Sequence, residues 1–383
     1  MTLKPRLNPR DELVVVGHPF APIGMGEHVR ATWRSLKAAG STVPLLDLFS
    51  LQRHQDPDLE RELGPHVTEH LSRRINLFCI NADEVEPAMT WLDSGRFDTA
   101  YNIIYPAWEL AIYPEPWARI LERFDEVWAA SAFTHAALEA AVRRPVTHLP
   151  LAVEPVLSGF LGRRYFGIPE QAPVFLFSFD FSSFAERKNP MAVLEAFERL
   201  VALRPEAPLY CVIKFKGSGN EAVKADLEAR IAALGDRVQA IRRELTNNEM
   251  KNLIRCCDAF VSLHRSEGFG FGMAEAMALS RVAIATRYSG NLDFMTDETS
   301  LLVDQQLIPV GPKDYLFPLG QVWADPSVDH AVQLMARVVD NAPGTQSMGQ
   351  RARAHIRNRF SARARGLAYA DRLGTIEAKR PSA

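Results

Sequence analysis

The chain has 383 residues, more than a single hydrophobic core usually serves, so two domains are expected. Apolar residues make up 47% and charged residues 23%, an ordinary globular balance, and a formal net charge of −2 offers no global attraction to nucleic acid or to an anionic membrane. The four cysteines, Cys79, Cys211, Cys256 and Cys257, lack zinc-ligand spacing and fit reduced thiols in a cytoplasmic protein. Met1–Arg10 has no apolar core of a secretory signal, and no apolar run approaches the roughly 20 residues that cross a bilayer.

Short β-branched or aromatic runs alternate with helical patterns, which predicts an α/β protein with parallel sheets. The first strand is Glu12–Gly17. A turn containing Gly24 and Gly26 leads into a helix over Glu27–Ala39, stopped by Gly40. Further strands are expected at Val43–Leu48, Ile75–Ile80, Thr99–Ile104, Glu126–Ala130 and Val146–Leu149, with helices near Glu84–Asp93, Glu115–Phe124 and Phe133–Val142. Prolines and glycines from Pro150 to Pro169 read as a linker.

A second α/β series opens at Val174–Phe179 and continues through Leu209–Phe215, Val238–Ile241, Ala259–Leu263, Val282–Thr286 and Ser300–Val303. Helices between them are expected at Pro190–Leu203, Glu221–Leu234, Asn247–Cys256, Gly272–Leu279 and Ser289–Met295. The expected layout is therefore two doubly wound domains, residues 1–160 and 170–350, followed by C-terminal helices over 351–383. The arginine-rich stretch from Arg351 to Arg365 reads first as a solvated helix with a narrow apolar stripe. Peripheral contact with anionic lipid ranks second, and nucleic acid last.

Chemistry concentrates in Ser266-Glu267-Gly268-Phe269-Gly270-Phe271-Gly272-Met273-Ala274-Glu275, between a strand and a helix. Backbone N–H groups of Gly268, Phe269, Gly270 and Phe271 and the helix dipole suit phosphate oxygens. Carboxylates there would repel phosphate unless they serve other parts of the ligand, such as sugar hydroxyls, which points to a sugar nucleotide. Two blander readings compete. The acids are favoured in a first helical turn in any case. The glycines resemble a dinucleotide loop, but their Gly-x-Gly-x-Gly spacing and late position argue against it. Cations for a diphosphate are at hand in Arg187 and Lys188, with Lys214 or Lys216 as a third. No metal is then required, and Asp56-Pro57-Asp58 stands in no credible metal-binding turn.

The Ser266–Ala278 stretch resembles the Glu-x7-Glu signature of family-4 retaining glycosyltransferases, which adopt the GT-B fold. The likeness extends to Ala283–Thr286, to Ser289–Phe294, to the basic loop Glu186-Arg187-Lys188-Asn189-Pro190, and to Arg359-Phe360-Ser361 near the closing helix of these enzymes. The resemblance implies two Rossmann-like domains facing across a cleft, with residues 351–383 crossing back to the first. It implies that Glu267 contacts the donor sugar and is the key catalytic residue, while Glu275 holds the nucleotide ribose. The implied retention uses same-face attack, in which the departing phosphate takes the acceptor proton.

In the first domain, Phe20–Glu27 with Gly24 and Gly26 resembles the loop these enzymes place over pyrophosphate and acceptor, and reads equally as an ordinary strand-to-helix turn. Trp108 and Glu109 resemble a Trp-Glu segment of related enzymes; Trp108 is suited either to stacking on a sugar or to plain packing. His264 is suited to bonding a phosphate or sugar oxygen, or to a structural role; His18 and His135 carry weaker signals.

The function expected is transfer of a hexose, mannose or similar, from a nucleotide diphosphate sugar to a saccharide or lipid-linked saccharide. The protein would be cytoplasmic, or peripheral at the inner membrane face, with no nucleic-acid partner and no cofactor beyond the donor. The alternatives are a sugar-nucleotide epimerase of the same fold, a non-catalytic nucleotide-sugar binder and, last, a NAD-dependent oxidoreductase.

Overall fold

The computed structural model describes residues 13–41, 43–51 and 53–379. Met1–Arg10, on which the signal-peptide reading rests, and Glu12, the expected start of the first strand, lie outside the described residues. Two compact units emerge, residues 13–154 with 358–379, and residues 155–357.

The first unit is built on seven parallel strands, β1 Leu13–Gly17, β2 Leu45–Asp47, β3 Val67–Thr68, β4 Ile75–Phe78, β5 Tyr101–Ile104, β6 Glu126–Ala129 and β7 Val146–His148. Their order is β3-β2-β1-β4-β5-β6-β7. β1 reads Leu-Val-Val-Val-Gly and is buried throughout, as a parallel strand covered on both faces must be. The strand expected from Thr99 begins only at Tyr101, because the Asp93 side chain caps a short helix over Ser94–Thr99 by accepting from the Arg96 N–H at 3.2 Å.

The last helix, Ala362–Ala378, belongs to this unit and lies against the Gly24–Ala38 helix. The Tyr369 hydroxyl donates to the Pro150 carbonyl at 3.1 Å, and Arg372 makes a two-pronged ion pair with the fully buried Glu126 at 2.8 and 2.6 Å. Close approach of the two helices depends on Gly366, where a Cβ would sit 1.9 Å from the Ser35 carbonyl oxygen.

The second unit has six parallel strands, β8 Val174–Asp180, β9 Tyr210–Lys216, β10 Val238–Ile241, β11 Ala259–Ser262, β12 Val282–Thr286 and β13 Leu301–Val303, in the order β10-β9-β8-β11-β12-β13. Alternate residues Phe175, Phe177 and Phe179 of β8, Ile213 and Phe215 of β9, and Val261 and Leu263 along and just after β11 feed one apolar core. An antiparallel hairpin, β14 Gln305–Pro309 with β15 Val322–Pro326, follows; the sequence reading had no strand there. Leu307 on β14 is half exposed, so the hairpin offers no regular buried face to read.

The order in which successive strands join each sheet reverses once, between β1 and β4 in the first and between β8 and β11 in the second. Such switch points leave a crevice beyond the carboxyl ends of the two central strands, the usual ligand position in open α/β sheets. Among the described residues, no helix is long and apolar enough to cross a membrane.

Replacing Gly366 by Ala should push the two packed helices apart and lower stability by about 1–3 kcal/mol. Urea denaturation of the purified variant checks this, and an unchanged midpoint would show that the helices separate at no cost.

Candidate active site

The chain leaves β8 at Asp180 and turns through Phe181–Ser183 into a single helical turn, Ala185–Lys188. Phe184 and Asn189, which bracket that turn, both have positive φ, 64° and 55°. A bulky aromatic residue at positive φ is strained and persists only where its surroundings enforce it. Here the enforcement is visible. The Phe184 ring packs edge-on against Tyr315 at 4.7 Å, and the Asn189 amide donates to the Leu263 carbonyl at 2.9 Å. The Arg265 N–H donates to the Arg187 carbonyl at 2.8 Å, tying this turn to the segment that leaves β11.

That segment carries Glu267. Its backbone N–H donates to the Ser289 hydroxyl at 2.8 Å, and its carbonyl accepts from the Gly290 N–H at 2.9 Å. Gly290 is required by close approach, since a Cβ would lie 2.1 Å from the Gly268 carbonyl oxygen. Ser289 has φ 74°, and only a short turn over Gly290–Asp293 follows it, in place of the expected Ser289–Met295 helix. The Asn291 amide, which donates to the Thr286 carbonyl at 3.0 Å, folds the chain back rather than onward.

Glu267 thereby comes to the Arg187–Lys188 pair. Arg187 Nη1 donates to Glu267 Oε2 at 3.2 Å and to the Ser266 carbonyl at 2.9 Å, and Lys188 Nζ donates to Glu267 Oε1 at 2.5 Å. All three side chains lie mostly out of solvent; Arg187 is 3% exposed and Glu267 9%. Burial alone would raise the carboxyl, but Lys188 and then Arg187 outweigh it and hold Glu267 at about 2, with His264 adding to the depression. The Arg187 guanidinium also stands 5.6 Å from the Tyr315 ring, which comes from the loop joining β14 to β15. The hairpin that the sequence did not reveal is therefore part of this site's wall.

The glycine turn ends at Gly270, φ 99°, which opens the helix Phe271–Ala278. Phe269 packs against both Phe271 and Phe294 with ring centroids 5.2 Å apart, anchoring the turn by apolar contact. Glu275 lies on this helix, one turn further in, and pairs with Lys251 on the neighbouring helix Asn247–Cys256. The sequence alone does not single out Lys251. A lysine on the inward stripe of an amphipathic helix was the signal, but nothing local named its partner.

The remaining candidates are placed less favourably. His264 is fully buried; Nδ1 pairs with the Ser262 hydroxyl at 3.0 Å, and Nε2 lies 3.2 Å from Asn291 Oδ1 and 3.3 Å from the Tyr288 carbonyl. Burial lowers its pKa against the opposing pull of Glu267, and its hydrogen bonds serve the loop rather than an open ligand site. Lys214 sits on β9, level with Ser178 of β8, one strand away from the switch point. It is buried, and burial followed by the neighbouring Lys216 brings its ammonium down to about 8. Lys216 is itself paired with Glu244 at 2.9 Å.

In the first unit, Gly24 and Gly26 fall inside the opening turn of the Gly24–Ala38 helix, beyond the carboxyl end of β1. Arg30 donates to the Pro19 and Ala21 carbonyls at 2.9 and 3.0 Å and fixes that loop. Of the two roles expected for Trp108, its surroundings favour packing. Its ring is 1% exposed, its indole N–H donates to the Ile112 carbonyl at 3.0 Å, and Tyr113 and Trp117 pack edge-on against it, so it has no open face for a sugar. Glu109 beside it is partly exposed. His18, which carried little weight in the sequence, lies at this sheet's switch point, with Nε2 2.5 Å from Glu84 and Nδ1 2.9 Å from the Leu48 carbonyl.

Residues 163–309 match the family described as glycosyl transferases, group 1. No curated protein matches the chain. Among solved structures, a glycosyltransferase from Rickettsia africae superposes with a TM-score of 0.69 at 14% identity, covering 98% of this chain and 100% of its own. Sucrose-phosphate synthase from Thermosynechococcus elongatus gives 0.68 at 15% identity, over 97% and 100%. HepE from Anabaena, solved with UDP-glucose, gives 0.68 at 13% identity, over 95% and 99%. The fold is GT-B, and with a group 1 domain in its second unit the chain is a glycosyltransferase.

The depressed Glu267 carboxyl links this site to pH. Its folded value near 2 lies below the roughly 4.3 of an unfolded glutamate, so its contribution is complete above about pH 5 and lost as pH falls toward 2. Between pH 6 and pH 3, Glu267→Gln should lose about 2 kcal/mol less stability than the wild type. Urea titrations at the two pH values measure this; equal losses would mean that Glu267 is not held by the two cations.

Proposed function

We propose that the protein is a retaining glycosyltransferase of the Glu-x7-Glu type. In this reading it moves a hexose, such as mannose, from a nucleoside diphosphate sugar to a hydroxyl of a glycan or glycolipid. The observation that carries the reading is the clamp of Arg187 and Lys188 on Glu267 at the switch point between β8 and β11.

A mostly buried carboxylate held by two cations is costly to desolvate, and it becomes useful if a dianionic ligand competes for the cations. The donor diphosphate takes Lys188 as a point charge and Arg187 through two oxygens, while N–H groups from Gly268 to Phe271 receive further phosphate oxygens. Glu267, released in part from its partners, accepts hydrogen bonds from hydroxyls of the donor sugar. Glu275 does the same for the ribose. The cations supply the charge that the leaving group needs, so no metal ion is assigned.

The acceptor oxygen bonds to the anomeric carbon on the face from which the phosphate departs. The anomeric C–O bond breaks with its electron pair going to the diphosphate, and the acceptor proton passes to that phosphate oxygen. No side-chain base is needed. A lipid-linked acceptor would bring the cytoplasmic enzyme to the inner membrane face. The structure of HepE with UDP-glucose supports this class of donor on a related architecture.

Thermal-shift screening against nucleoside diphosphate sugars identifies the donor, since binding raises apparent stability. With that donor, nucleoside diphosphate should be released only when a saccharide acceptor is present. Glu267→Ala should abolish release, and Lys188→Ala should weaken donor binding by about tenfold or more. Full activity of a purified Glu267→Ala enzyme would defeat the proposal. Conversion of the sugar nucleotide without acceptor would make the protein an epimerase instead.

A further inference from the structure

Lys251, paired with Glu275 in a buried ion pair, has no part in the transfer chemistry above. Lys251 lies on the Asn247–Cys256 helix and is 4% exposed; Glu275 lies on the Phe271–Ala278 helix and is 6% exposed. Lys251 Nζ donates to Glu275 Oε1. Both helices are fixed from other directions. Thr246 and Glu249 close a reciprocal cap at the start of the first, and Asn252 on it donates to the Gly159 carbonyl at 2.8 Å. Gly270 sets the start of the second, in the same turn that carries Glu267.

A buried pair of this kind contributes little net stability compared with well-packed apolar side chains, because two charges must leave water. What it does supply is orientation. A glutamate with three rotatable bonds is held in one pose by an ammonium on a rigid neighbouring helix, so a ligand that binds it has less freedom to freeze.

We propose that Lys251 is a positioning residue for the donor's ribose. It holds the Glu275 carboxylate so that its oxygens meet the two adjacent ribose hydroxyls, and it thereby selects ribonucleotides over analogues lacking those hydroxyls. The inference rests on the reading of Glu275 as the ribose ligand. A carboxylate has about four lone-pair sites on its two oxygens, so the Lys251 contact does not exhaust its capacity to accept O–H donors. The chemistry recognised is a vicinal diol, which separates this role from the diphosphate contacts of Arg187 and Lys188.

The test uses the full-length protein and calorimetric binding of ADP, GDP and UDP, each paired with its 2′,3′-dideoxy counterpart. The wild type should bind its preferred ribonucleoside diphosphate about tenfold to a hundredfold tighter than the dideoxy form, the range of hydrogen bonds to a charged group. Lys251→Met should bring that ratio close to one while leaving affinity for the dideoxy form near the wild-type value. Lys251→Arg should restore most of the ratio. If Lys251→Met does not accumulate as folded protein, Lys251→Gln is measured in its place with the same expectation.

A variant that keeps the wild-type ratio overturns the inference, as does one that loses both ligands equally, the mark of a merely structural lysine. A wild type that shows no preference for the ribose form removes the ribose role of Glu275 and this inference together. The expectations for Glu267 and Lys188 would still stand.

Discussion

The second unit is organised around one electrostatic constraint: a mostly buried carboxylate, Glu267, held between Arg187 and Lys188. None of the three is tolerable there alone, since an uncompensated buried charge costs several kcal/mol. The backbone around them is shaped accordingly. Positive φ angles at Phe184, Asn189, Gly270 and Ser289 bend three separate loops onto one point, and Gly290 allows two of those loops to touch. The aromatic contacts of Tyr315 and Phe269 keep them there. Strain of this kind is stored where structure over-determines it, which is why it marks the site.

In the function we propose, the same constraint explains how acids coexist with a phosphate cradle. Glu267 occupies both of the cations that would receive phosphate. Exchange of one anion for another leaves the local charge nearly balanced. In the function we propose, the displaced carboxylate turns to the sugar attached to the displacing phosphate, which couples recognition of the two parts.

Much of this was legible in the sequence, for reasons that differ by element. Continuous apolar runs such as Leu13–Gly17 and the alternating phenylalanines of Val174–Asp180 announce strands because burial on a parallel sheet dictates them. The glycine turn with Glu267 and the Arg187-Lys188 loop were visible as residue types whose chemistry fits a diphosphate. What periodicity does not encode is the partner of a buried charge. Lys251 and Glu275 are far apart along the chain, and their pairing depends on how two helices pack. For the same reason His264 and Trp108, whose residue types suit ligands, turn out to be spent on Asn291 and on the aromatic cluster around Tyr113 and Trp117. The β14–β15 hairpin escaped because its partly exposed residues carry no regular apolar face.

The most direct measurement is a crystal structure of the full chain with the nucleoside diphosphate that binds it most tightly. The account predicts that Lys188 Nζ leaves Glu267, with which it makes a 2.5 Å contact, and bonds to diphosphate oxygens beyond the carboxyl ends of β8 and β11. A diphosphate bound elsewhere, with the Lys188–Glu267 contact intact, would contradict it.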